Sequence, residues 1–90
     1  MSVYVDPLEA VVLPKPGWRY PSSCHLFADS TDELHEFARK LGLKKGWFQN
    51  HDIVPHYDLT LNKRMKALQL GAIQVSRREF YDRFIKPARE

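Results

Sequence analysis

The side chains most able to do chemistry are a set of His and Asp residues: Asp6, His25, Asp29, His35, His56 and Asp58. The densest grouping lies in Pro55-His56-Tyr57-Asp58-Leu59-Thr60. In an extended segment His56 and Asp58 point to one side and Tyr57 to the other, because successive side chains alternate. A carboxylate beside an imidazole fixes its tautomer and raises its basicity, which suits a general base or a metal ligand. With His56 as base, Asp58 orienting it and His25 as a further catalytic candidate, the set describes a small hydrolase. Asp6, His25 and Asp29 are the weak metal candidates for a metal-assisted version. The spacing matches no metal signature such as H-E-x-x-H, so it specifies neither a metal nor a cofactor. A plainer reading has Asp58 capping a helix or pairing with Arg64, and His56 bonding a loop carbonyl. Cys24-His25 makes a poor nucleophile pair, since adjacent residues on an extended chain face opposite ways.

A second signal is electrostatic. Lys63 and Arg64 stand at or near the start of one expected helix, and Arg77 and Arg78 open another. A cation there opposes the helix dipole at a cost of about 0.3–1 kcal/mol when exposed. Two helices making that choice point to an anion on which backbone N–H groups and cations converge. Local neutralisation by Asp58, Glu79 and Asp82 is the alternative. Trp18, Tyr20, Trp47, Phe48 and Tyr57 sit in or beside expected loops. Such rings stack nucleobases or build a small core. Phe48 is assigned to the core, and Trp18, Trp47 and Tyr57 fit either role.

These residues need elements to position them. "SVYV" (2–5) and "AVVLP" (10–14) read as strands, and "PKPGWRYPSS" (14–23) as a long loop. Ser30 and Glu33 form a capping-box pattern opening a helix over 30–42, with Leu34, Phe37, Ala38 and Leu41 as its buried stripe and Gly42 as its stop. "GWFQ" (46–49) is a short strand. Thr60 caps a second helix over 61–70, with Leu61, Met65 and Leu68 facing inward and Gly71 ending it. "AIQV" (72–75) is a further strand, and Ser76 with Glu79 opens a basic third helix running through Phe80, Phe84 and Ile85 to Pro87. Strands alternating with helices predict one α/β domain over residues 1–90, with a short, mostly parallel sheet and about three helices.

The 90 residues are 43% hydrophobic and 28% charged, a composition that folds around a single core. A domain this small is compatible with a homodimer. Cys24 is the single cysteine, which rules out an intrachain disulfide and a Cys-rich zinc site. No secretory signal and no membrane-length apolar run are visible, so no membrane is expected and a cytoplasmic location is. Residues 1–41 carry a net −2 and residues 42–90 a net +5. The basic half suits an anionic partner such as phosphate, nucleotide or nucleic acid.

The segments "YVDPL" (4–8), "HLFAD" (25–29), "ELHEFARKLGL" (33–43), "WFQ" (47–49), "HYDLT" (56–60) and "ALQLGA" (67–72) together resemble the domain-of-unknown-function family numbered 4031, found in bacteria and bacteriophages. The resemblance spans about residues 3–75. It implies that Asp6, His25, Asp29, His35, Trp47, Gln49, His56, Tyr57, Asp58 and Arg64 belong to a shared pattern. The resemblance supplies no role for them. The combined expectation is a pocket of His25, Asp29, Trp47, His56, Tyr57, Asp58, Lys63 and Arg64 that binds a small anionic, nucleotide-derived ligand. A His56/Asp58 hydrolase and a nucleic-acid or protein adaptor are the alternatives.

Overall fold

The sheet is built around a strand that the sequence disguises. In the computed structural model, which describes residues 2–11 and 20–89, Ser22–Ala28 forms β3, the longest strand. The others are β1 (Val3–Val5), β2 (Glu9–Ala10), β4 (Phe48–Gln49), β5 (His56–Leu59) and β6 (Ile73–Gln74). Their order is β4-β5-β3-β1-β6, with β2 also pairing to β3. The sheet is mixed and mostly antiparallel, correcting the mostly parallel expectation: among the described strands only β1 and β6 run parallel. The reason is local. β3 starts at the end of the stretch read as loop and runs on through residues given no element, β5 lies in the lead-in to the second helix, and both run antiparallel to their neighbours.

β1 and β2 lie successively along β3, at Leu26–Ala28 and at Ser22–Ser23. Pro7 lies in the break between them, and Asp6 bridges it. The Asp6 N–H donates to the His25 carbonyl at 3.3 Å, and the His25 N–H donates to Asp6 Oδ1 at 2.6 Å. A side-chain carboxylate thus replaces the backbone acceptor that the broken ladder lacks.

Helix α1 (Thr31–Lys40) begins where the Ser30 hydroxyl accepts the Glu33 N–H, which is one half of the expected capping box. It ends in a Schellman motif, with Gly42 at φ 79°, the Leu43 N–H on the Ala38 carbonyl and the Gly42 N–H on that of Arg39. Helix α2 (Leu61–Gln69) is capped by Thr60 and closes in the same way around Gly71, at φ 106°. Helix α3 is composite: α-helical over Arg77–Phe80, π-helical over Tyr81–Ile85 and α-helical again over Lys86–Arg89. Pro87 does not end it: the helix continues to Arg89.

Alternation on the strands sorts residues between two layers. Val5, Cys24, Leu26, Tyr57 and Leu59 pack with Leu34, Ala38 and Leu41 of α1 and Ala67 of α2. The inward face of α2 differs from expectation: Leu61 and Met65 are exposed, whereas Ala67 is fully buried and Leu68 half-buried. Small Ala67 lets the helix sit close to the sheet, so the helix is rolled away from Leu61 and Met65. On the other face Tyr4, Phe27, Val54 and Val75 meet Phe80, Phe84 and Ile85 of α3. Phe27 takes Phe80 and Phe84 edge-on, with ring centroids 4.8 and 4.9 Å away. Each such aromatic pair adds about 0.5–1.5 kcal/mol beyond its buried area. The radius of gyration, 12.5 Å, is that of one small domain. Among the described residues no helix is long and apolar enough to cross a membrane.

Candidate functional site

His25 and Asp58 stand directly opposite each other on β3 and β5. Directly paired residues share a face, here the one covered by α3. His56 lies two residues before Asp58, on the same side, as alternation requires. The rings of His25 and His56 meet edge to face, with centroids 4.7 Å apart.

Both imidazoles are held through Nδ1. His25 Nδ1 lies 2.7 Å from Asp6 Oδ2, and His56 Nδ1 lies 2.9 Å from the Val54 carbonyl oxygen. A carbonyl only accepts, so His56 carries its proton on Nδ1 and presents a lone pair at Nε2. The Asp6 carboxylate selects the same tautomer of neutral His25. The two Nε2 atoms then lie 3.8 and 3.6 Å from Asp58 Oδ1. One ligand atom from each of the three residues falls within 4.8 Å of the others. Donor atoms about 2.1 Å from a tetrahedral ion are roughly 3.4 Å apart, near the two separations from Asp58 Oδ1. Burial pushes His56 below the usual histidine value, which keeps it neutral, as a ligand must be.

The cluster opens into a cavity of about 190 Å³ lined by His25, His51, Val54, His56, Phe80 and Ile85. The His25 side chain is 42% exposed, whereas those of His56 and Asp58 are 17% exposed, so the ion position is walled yet reachable. His51 has the opposite hydrogen-bonding sense. Its Nδ1 accepts from the N–H groups of Ile53 and Val54 at 3.2 and 3.5 Å. Neutral His51 therefore carries its proton on Nε2 and is a donor.

The other expected site residues are elsewhere. Asp29, at the far end of β3, accepts from the Ser2 N–H and the Tyr4 hydroxyl. Tyr57 is in the core on the opposite face, 2% exposed, with its hydroxyl 2.8 Å from His35 Nδ1, and burial holds its phenol above the ordinary value. Trp47 is half-exposed in a 3₁₀ turn (Lys45–Trp47), with Lys44 Nζ 5.6 Å from its ring. Trp18 lies outside the described residues. Lys63 Nζ donates to the Leu41 carbonyl at 2.7 Å, so the cation at the start of α2 meets the negative end of α1. Arg64 Nε donates to the Asp6 carbonyl at 3.1 Å, bracing from behind the residue that holds His25. Arg77 pairs with Glu9, and Arg78 with Asp82. Burial pushes the Cys24 thiol up to about 12, out of nucleophilic range.

His51, Val54, Phe80 and Ile85 were not singled out as site residues from the sequence. Their part depends on the loop after β4 and on α3 packing against β1 and β3, which no local pattern in the sequence marks.

A family model described as "protein of unknown function (DUF4031)" matches residues 3–87. The chain belongs to that family. The DUF4031 match runs past the expected 3–75 and takes in the 14–23 segment and most of α3, so the helix that walls the cavity lies within the shared region. No curated protein and no solved structure matches the chain.

Proposed function

We propose that the protein holds a divalent transition-metal ion, of the zinc class, between His25 Nε2, His56 Nε2 and Asp58 Oδ1, and uses it to hydrolyse a small molecule. One observation carries the reading: two imidazole lone pairs and a carboxylate oxygen converge within 4.8 Å, each imidazole locked from behind by Asp6 or the Val54 carbonyl. Such outer partners orient metal-binding histidines and raise their basicity. An anion facing two lone pairs makes electrostatic sense around a cation. Three protein ligands leave a coordination position for water or substrate, the pattern of catalytic sites, and the ion would supply Lewis acidity there. Asp6 would orient His25, Val54 would orient His56, and His51 would donate a hydrogen bond into the cavity.

A metal-free general-base scheme draws less support, because Asp58 approaches His56 at Nε2, the nitrogen that would have to act as base. The anionic-ligand reading also draws less, because Lys63 and Arg64 bond carbonyls on the other side of the sheet and Tyr57 is in the core. The test uses chelator-stripped protein and Zn²⁺. Added Zn²⁺ raises the melting temperature of wild type and restores hydrolysis of 4-nitrophenyl acetate, and Asp58→Asn loses both responses. Equal responses in wild type and Asp58→Asn contradict the proposal.

A further inference from the structure

The walls of the cavity narrow the choice of ligand. Beyond its three histidines it is lined by Val54, Phe80 and Ile85, all apolar. None of these described lining residues is Lys or Arg. Of the described cations on α3, Arg77 pairs with Glu9, Arg78 with Asp82, Arg83 lies over the Tyr4 ring, and Lys86 is exposed. The volume of about 190 Å³ is below the roughly 300–1,000 Å³ of sites for drug-sized ligands.

Phe80 and Ile85 share this cavity because of the π turn. Five residues along an α-helix rotate a side chain by about 140° from the starting one, since each residue turns about 100°. In the π segment the Lys86 N–H bonds back to the Tyr81 carbonyl, which brings residues five apart closer to one face of the helix. The Phe80 ring also lies within 9° of parallel to the His25 imidazole, 6.4 Å away centroid to centroid, forming a flat wall beside the metal ligands.

We infer that the site takes a compact molecule with a metal-binding polar head and a small apolar or aromatic group, and that Phe80 and Ile85 select that group. This rests on the metal reading above. The test uses Co²⁺-loaded protein, with the visible Co²⁺ band reporting binding of acetohydroxamate, benzohydroxamate and inorganic phosphate. Benzohydroxamate should bind at least about tenfold more tightly than acetohydroxamate, as partial burial of a phenyl ring supplies. Phe80→Leu and Ile85→Ala, each shown to be folded by circular dichroism, should each shrink that ratio while leaving Co²⁺ affinity unchanged. A visible band with no preference between the hydroxamates, or with phosphate the tightest ligand, overturns the inference and leaves the metal site standing. Failure to take up Co²⁺ overturns both.

Discussion

Asp6 and His25 are joined twice: Oδ1 accepts the backbone N–H at 2.6 Å, and Oδ2 meets the ring Nδ1 at 2.7 Å. One carboxylate therefore closes the break in the β1–β2 edge and aims an imidazole at Asp58. Asp6 itself is 8% exposed, and its carbonyl takes the Arg64 side chain. Structure and site thus share one residue.

Asp6→Ala should affect both functions at once. Loss of charged hydrogen bonds in a nearly buried setting costs about 2–3 kcal/mol. Loss of the partner behind a metal-binding histidine costs about 10–100-fold in metal affinity. Urea unfolding and chelator competition check the two effects separately. Asp6→Asn should recover much of the stability and less of the affinity, because a neutral amide orients His25 without raising its basicity.

Lys63→Met should separate stability from the site. It removes the bond to the Leu41 carbonyl, at a cost of about 0.5–1.5 kcal/mol. Zn²⁺ affinity should stay at the wild-type value, since Lys63 lies on the opposite face from His25 and His56. A clear fall in Zn²⁺ affinity would place Lys63 in the site after all.

The metal-free protein should weaken in mild acid. His56 has a folded-state pKa below its ordinary value near 6.5, first because of burial. The unfolded chain therefore takes up the proton more readily. The associated stability is present above about pH 6.5 and is lost as pH falls from there towards the folded value. Urea midpoints at pH 7.5 and 5.5 should differ more in wild type than in His56→Gln. Equal differences would show that His56 does not contribute.

Cys24 should behave as a packing residue. It is 1% exposed, and burial holds its thiol near 12. A thiol reagent at pH 8 should label it only on unfolding, at the global unfolding rate, and Cys24→Ala should leave Zn²⁺ binding intact.

Much of the helical structure was legible because its signals are local. Ser30, Thr60 and Ser76 cap the helices, and Gly42 and Gly71 end two of them, as their residue types and spacing imply. β3 was hidden because Ser22, Ser23 and His25 interrupt its apolar run, and only pairing with β1 and β5 makes it a strand. Alternation put Tyr57 on the opposite side from His56 and Asp58, yet Tyr57 was expected in the pocket with them, and the structure buries it in the core. Lys63 misled for a tertiary reason: its partner is the end of α1, 22 residues earlier in the chain. The Val54 carbonyl carries no residue-type signal at all, yet it sets the tautomer of His56.

The central claim is a metal ion held by His25, His56 and Asp58, and its most direct test is stoichiometry. Chelator-stripped protein, dialysed to equilibrium against micromolar Zn²⁺ and analysed for metal, should hold one ion per chain. The His56→Ala/Asp58→Ala variant, shown to be folded by circular dichroism, should hold almost none. Equal Zn²⁺ content in the two proteins would contradict the account.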